Sequence, residues 1–160
     1  ETEHFYVIGV NSIRRRYHTR GHISLSQIQE IDLKLQQAPA HKIKLIAAHQ
    51  PFYTPPDHSH GVKDCPMLGR IALEQWSQHG LNGLLHGHLH HAAVYDLNQI
   101  YQLGVSHPVL DIHAGTATSY RLHAGLPNSL NIILPNADVQ HLSFNAETNR
   151  FELMQQNTSD

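Results

Sequence analysis

Three histidines follow apolar runs, where a folded chain could gather them. His49 closes the run Ile43 to Ala48 and precedes Gln50-Pro51; His88 and His90 lie in Leu84-Leu85-His86-Gly87-His88-Leu89-His90. A Gly-His-x-His turn after a buried strand sets two imidazoles on a tight loop at the strand's end. Imidazole is a borderline ligand that suits zinc, iron, copper and nickel. In open α/β sheets, site groups gather outside the carboxyl ends of the strands. Three imidazoles alone could hold one zinc-like ion with an open position.

The other polar residues have plainer readings. His86, His91, His113 and His141 are expected to be hydrogen-bonded structural groups. His58 and His60 sit in a polar loop, Thr54 to Val62, which is either a pocket rim or a solvated surface. Arg14, Arg15 and Arg16 could attract phosphate, with a charged surface turn as the default. Asn11 and Ser12 follow a strand and either approach the site or make a tight turn. Ser119 and Cys65 lie in no nucleophile elbow, so no covalent catalyst is assigned. Asn157-Thr158-Ser159 matches a glycosylation acceptor by chance at a polar terminus.

Composition bounds the rest. At 160 residues the chain fits one domain, long enough to bury about 70% of its unfolded surface. Lys plus Arg is 11 and Asp plus Glu 13, a net charge of −2, which argues against a nucleic-acid-binding module. A lone cysteine makes no internal disulfide and implies no oxidising compartment, so the cytoplasm is expected, with export of a longer parent left open. No apolar run approaches the ~20 residues needed to span a bilayer. The chain opens at Glu1, just before an apolar stretch, and shows no signal peptide. It reads either as a mature chain or as an excised piece of a longer one.

The elements that must position the histidines read as mixed α/β. Phe5–Val10 is a strand, and Ser24 to Gln37 a helix with Leu25, Ile28, Ile31 and Leu35 on one face. Ser24 with Gln27 fits a capping box. Ile43–Ala48 is a near-continuous apolar strand of the kind found inside a covered sheet. Pro66–His79 reads as a second helix with Leu68, Ile71, Ala72, Gln75 and Trp76 at helical period, and Gly80 suits its end. Leu81–Leu85 leads to the Gly-His-x-His turn and Ala92–Leu97 runs back from it. Val109–Ala114, Leu130–Leu134, Val139–Phe144 and Arg150–Met154 are further strands, so the later part is strand only.

In this order (strand, His-x-Pro, helix, strand, Gly-His-x-His) the chain resembles the second half of the calcineurin-like metallophosphoesterases. It looks closest to the bacterial branch containing class III cyclic-nucleotide phosphodiesterases. Gly21 to Leu35, the segment His113-Ala114-Gly115-Thr116-Ala117-Thr118-Ser119, and Pro127-Asn128-Ser129-Leu130-Asn131 are similar to further family segments. The resemblance covers nearly the whole chain and implies two mixed sheets packed face to face, with helices outside.

It also implies a site. Family members carry two divalent or trivalent ions (Mn, Fe, Zn or Mg) bridged by an aspartate and a hydroxide. By position, His49 and His88 would bind one metal and His90 the other. The remaining ligands belong to the family's N-terminal half, and none of those motifs occurs here, so this chain would hold at most one ion. Gln50 stands where many relatives have a second histidine. The expectation is a dinuclear phosphoesterase of which residues 1–160 are the C-terminal part. Its substrate would be a phosphate-ester small molecule or nucleotide, with no membrane partner. The alternatives are a non-catalytic structural or binding domain, or a mononuclear metal binder. Were the chain active alone, Asp57, Asp64 and Asp111 would be the first further ligands to test. Missing strands would bare an edge or an apolar face, so self-association is expected near Phe5–Val10.

Overall fold

The structure, a computed structural model, describes residues 1–15, 20–56, 62–120, 122 and 125–154. The first half alternates strand and helix: β1 (Phe5–Gly9), α1 (Leu25–Gln37), β2 (Ile43–Ala47), α2 (Gly69–Ser77) and β3 (Leu81–His86). A 3-10 turn, Val62–Asp64, precedes α2. Then come β4 (Ala93–Asp96), α3 (Leu97–Tyr101) and β5 (Leu110–His113). Three strands close the chain: β6 (Ser129–Ile133), β7 (Val139–Asn145) and β8 (Arg150–Leu153).

Two sheets result. The larger has the order β1-β2-β3-β5-β4, and β6-β7-β8 form the smaller. β1, β2, β3 and β5 are mutually parallel, while β4 lies antiparallel on β5 at one edge. Helical crossovers are what permit parallel neighbours, because a tight hairpin can only reverse the chain. The smaller sheet is antiparallel throughout. The fold is therefore mixed α/β, with a parallel-rich sheet followed by an antiparallel one.

The apolar face of α1 supplies Ile28, Ile31 and Leu35 to the core, joined by Ala72, Leu73 and Trp76 of α2. Trp76 Nε1–H donates to Ile28 O at 3.0 Å, fixing α2 against α1. The capping box forms: Gln27 N–H donates to Ser24 Oγ at 3.2 Å, and Ser24 N–H donates back to Gln27 Oε1 at 3.1 Å. Lys44 Nζ donates to Leu35 O and His79 O, closing carbonyls where both helices end.

Several sequence expectations need correction. Leu25, the first residue of α1, is 61% exposed, and Ile71 is exposed although Ala72 and Leu73 beside it are buried. α2 begins at Gly69 because Pro66 O accepts the Gly69 N–H at 2.9 Å in a separate turn. The later half is not strand only. Asp96 caps Asn98 N–H at 2.9 Å and turns Leu97–Tyr101 into a helix.

The parallel strands end together at one rim. Val10 N–H donates to Ala47 O, Ala48 N–H to Leu85 O, and Ala114 N–H to His86 O, so four strand ends are stitched in register. The smaller sheet meets this rim through Asn131 Nδ2–H donating to His113 O at 2.8 Å and Ser129 N–H donating to Thr116 O at 3.1 Å.

Candidate metal centre

His49 lies two residues beyond β2, and His88 and His90 two and four beyond β3. Because the two strands are parallel neighbours, all three residues belong to the same rim. His49 is held from below. Its N–H donates to Ser12 Oγ at 3.3 Å, and the Ser12 hydroxyl donates to Gln50 Oε1. Ser12 and Gln50 are each 1% exposed. Gln50 thus faces inward as a structural acceptor, and Ser12 is tied to the site.

His49 and His88 meet. His88 Nδ1 lies 3.2 Å from His49 Nε2, with the rings edge-on at 78°. On its other side His88 Nε2 stands 3.8 Å from Asp64 Oδ2, a buried carboxylate. His90 turns elsewhere: its Nδ1 hydrogen-bonds Thr116 Oγ1 at 2.8 Å. His88 and His90 both adopt left-handed backbone, φ 66° and 56°. Such conformations cost a non-glycine residue about 1–3 kcal/mol and persist where surroundings over-determine them, most often at functional sites.

His90 also borders a cleft of about 630 Å³ between the start of β4 and the smaller sheet. His141 lines the same cleft and hydrogen-bonds Asn131 Oδ1 at 2.8 Å, a structural contact as expected. Burial, with the nearby His91, holds the His141 imidazole below its ordinary pKa.

Beneath the Gly-His-x-His turn, His86 and His113, expected to be structural, meet Asp111, one of the further ligands expected were the chain active alone. β3 and β5 pair with His86 opposite His113, and Asp111 shares a face with His113 at strand period. Asp111 Oδ2 lies 3.0 Å from His113 Nε2, and Asp111 Oδ1 lies 3.1 Å from His86 Nε2. All three side chains are buried, and together they could hold a metal ion. Tyr53 N–H donates to Asp111 Oδ2 at 3.1 Å.

Burial is the largest influence on Asp111 and raises its pKa, but the flanking imidazoles outweigh it and the carboxyl is held below its usual value. Burial lowers His113 despite the hydrogen bond to Asp111. The signal in the sequence was Asp-x-His inside an apolar strand, since buried strand positions rarely carry a carboxylate without partners.

Cys65 is no nucleophile, because burial pushes its thiol up to about 11. Ser119 O accepts from Asn128 Nδ2–H at 2.9 Å. Arg14 is committed to local bonds, donating to Asn11 O, Ile13 O and Gln27 Oε1. Arg16, Asp57, His58 and His60 lie outside the described residues.

No family model and no curated protein sequence matches the chain. Among solved structures it is similar to a Staphylococcus aureus protein provisionally described as a 5′-nucleotidase, in complex with alpha-ketoglutarate. The identity is 15% and the TM-score 0.46, over 93% of this chain and 26% of that one. A likeness of that size assigns no function. No described helix is long and apolar enough to cross a membrane.

Proposed function

We propose that the chain is the C-terminal, metal-ligating part of a dinuclear phosphoesterase of the calcineurin-like type. His49 and His88 would hold one ion, and His90 would serve the second. The observation that carries this reading is the 3.2 Å between His49 Nε2 and His88 Nδ1. Two nitrogens bound at about 2.0–2.1 Å to a tetrahedral ion lie about 3.3 Å apart, so the donors already stand at chelating separation. Asp64 strengthens it. A ligating histidine usually presents its other nitrogen to a carboxylate, which fixes ring and tautomer, and Asp64 faces His88 Nε2.

When bound, paired cations neutralise phosphoryl oxygens and lower the pKa of a bridging water. The residues of this chain orient and restrain. Ser12 and Gln50 fix the His49 backbone, Asp64 faces His88 at 3.8 Å, and Thr116 holds His90. The carboxylates that would complete the pair lie outside this sequence. Phosphodiesters, cyclic nucleotides among them, and phosphomonoesters are the substrates of the whole protein under this reading, and the cytoplasm is its compartment. The mononuclear alternative uses His49, His88 and His90, and the engagement of His90 with Thr116 favours a narrower form of it on His49 and His88.

The test is metal binding and turnover together. The isolated chain should take up an ion at the rim that His49→Ala loses, yet hydrolyse an aryl phosphodiester in manganese buffer no faster than that variant. Metal-dependent turnover by the chain alone, abolished in His49→Ala, would show that it carries a complete site. Unchanged uptake in His49→Ala would remove the rim site.

A further inference from the structure

We propose that His86, Asp111 and His113 form a second, separate metal site: a buried centre for a zinc-class divalent ion that ties β3 to β5 beneath the Gly-His-x-His turn. Among the described residues these three form the one group of His, Cys, Asp or Glu whose donor atoms all lie within 4.8 Å of one another. They stand on adjacent parallel strands in direct register, so the cluster is set by the ladder and not by a loop.

The cluster satisfies itself only in part: His113 Nε2 and Asp111 Oδ2 hydrogen-bond at 3.0 Å, and the remaining donor atoms do not pair. His86 Nδ1 lies 3.2 Å from Gly87 O, the partner expected of an N–H. The other nitrogen, Nε2, faces Asp111 Oδ1 at 3.1 Å, neither atom has a hydrogen-bond partner, and with His86 neutral both are lone pairs. Two acceptors cannot rest at that distance in a dry interior unless a proton or a cation separates them. Asp111 Oδ1 and His113 Nδ1 are likewise buried without a hydrogen-bond partner. A cation bound by His86 Nε2 and Asp111 Oδ1 resolves the first conflict directly.

The donor set names the class of ion. Two imidazoles and one carboxylate suit zinc or ferrous iron, whereas magnesium and calcium seek shells of oxygen. Outer contacts follow the usual pattern of such sites: His86 Nδ1 at the Gly87 carbonyl, and the Tyr53 N–H on Asp111 Oδ2. The Tyr95 ring covers His113, centroids 5.0 Å apart, and closes one side against water. The ion is structural. It lies two residues before His88 and steadies the strand end from which that ligand springs, raising the number of ions the chain can hold from one to two.

The experiment is metal stoichiometry by mass spectrometry after dialysis against Zn²⁺ or Co²⁺, with cobalt absorbance reporting ligand geometry. Wild type should retain two ions, His49→Ala/His88→Ala one, and Asp111→Asn one. Zn²⁺ should raise the melting temperature of the double variant and lose that effect on addition of Asp111→Asn. A folded His49→Ala/His88→Ala chain that binds no ion and gains no thermal stability would overturn the proposal, and needs no change to the cluster itself. If wild type and that double variant both retain one ion, the buried site stands and the rim site fails.

Discussion

Replacing Ser12 by alanine should destabilise the protein out of proportion to the single oxygen removed. The Ser12 hydroxyl donates to Gln50 Oε1 and accepts the His49 N–H at 3.3 Å. Both Ser12 and Gln50 are buried, so water cannot replace the lost partner. Nor can Gln50 swing away freely, since Gly21 packs so closely that a Cβ there would stand 3.0 Å from Gln50 Cβ. A buried acceptor left unpaired costs about 1–3 kcal/mol, and a long bond such as that from His49 adds about 0.5 kcal/mol. Together these give a loss of about 1.5–3.5 kcal/mol. At roughly 2–4 °C per kcal/mol for a domain of this size, the melting temperature should fall by roughly 3–14 °C. Trp76, the sole tryptophan and fully buried, reports urea unfolding by fluorescence. The midpoint should drop with an unchanged slope. Ser12→Ala/Gln50→Leu should recover part of the loss, because replacing both partners by apolar groups removes the orphaned acceptor. A loss below about 0.5 kcal/mol for Ser12→Ala, the size typical of surface changes, would refute the claim that this network holds His49.

Asp64→Asn should weaken ion binding at the rim by about 10–100-fold, the usual effect of removing a carboxylate behind a ligating histidine; calorimetric titration of the Asp111→Asn background isolates that site, and an unchanged Kd would dismiss Asp64 from the role. Gly115→Ala should lower stability by about 1–3 kcal/mol through overpacking, since a Cβ there would stand 1.8 Å from Ser129 Oγ; adding Ser129→Ala should restore part of it, and strict additivity in denaturant unfolding would show that the clash is not the cause. Cys65, raised from 9.0 to about 11, should carry about 100-fold less thiolate at pH 8 than in the unfolded chain and alkylate correspondingly slowly. Its raised pKa favours the folded state below pH 9, and that contribution is lost as pH rises from 9 through 11. Self-association near Phe5–Val10 is the fifth expectation: among the described residues β1 pairs only with β2, at the edge of its sheet, where unpaired backbone invites another chain. A strictly monomeric species by sedimentation at high protein concentration would count against it.

The sequence by itself determined the elements and the rim. Apolar runs marked β1, β2 and β3, the Ser24–Gln27 box started α1 where expected, and residue types put His49, His88 and His90 beyond strand ends. Those features are local, because period, caps and breakers act within a few residues along the chain. What the sequence left open depended on pairing between distant segments. Asp111 and His113 became partners of His86 only because β3 and β5 are neighbours in the sheet although β4 lies between them in the chain. Gln50 became a buried acceptor because the loop after β1 brought Ser12 beneath it. Asp64 faces His88 across 24 positions of sequence, and Leu25 and Ile71 stayed in solvent although other residues of their helices are buried. Periodicity states which residues share a face, while strand order and register decide what that face meets.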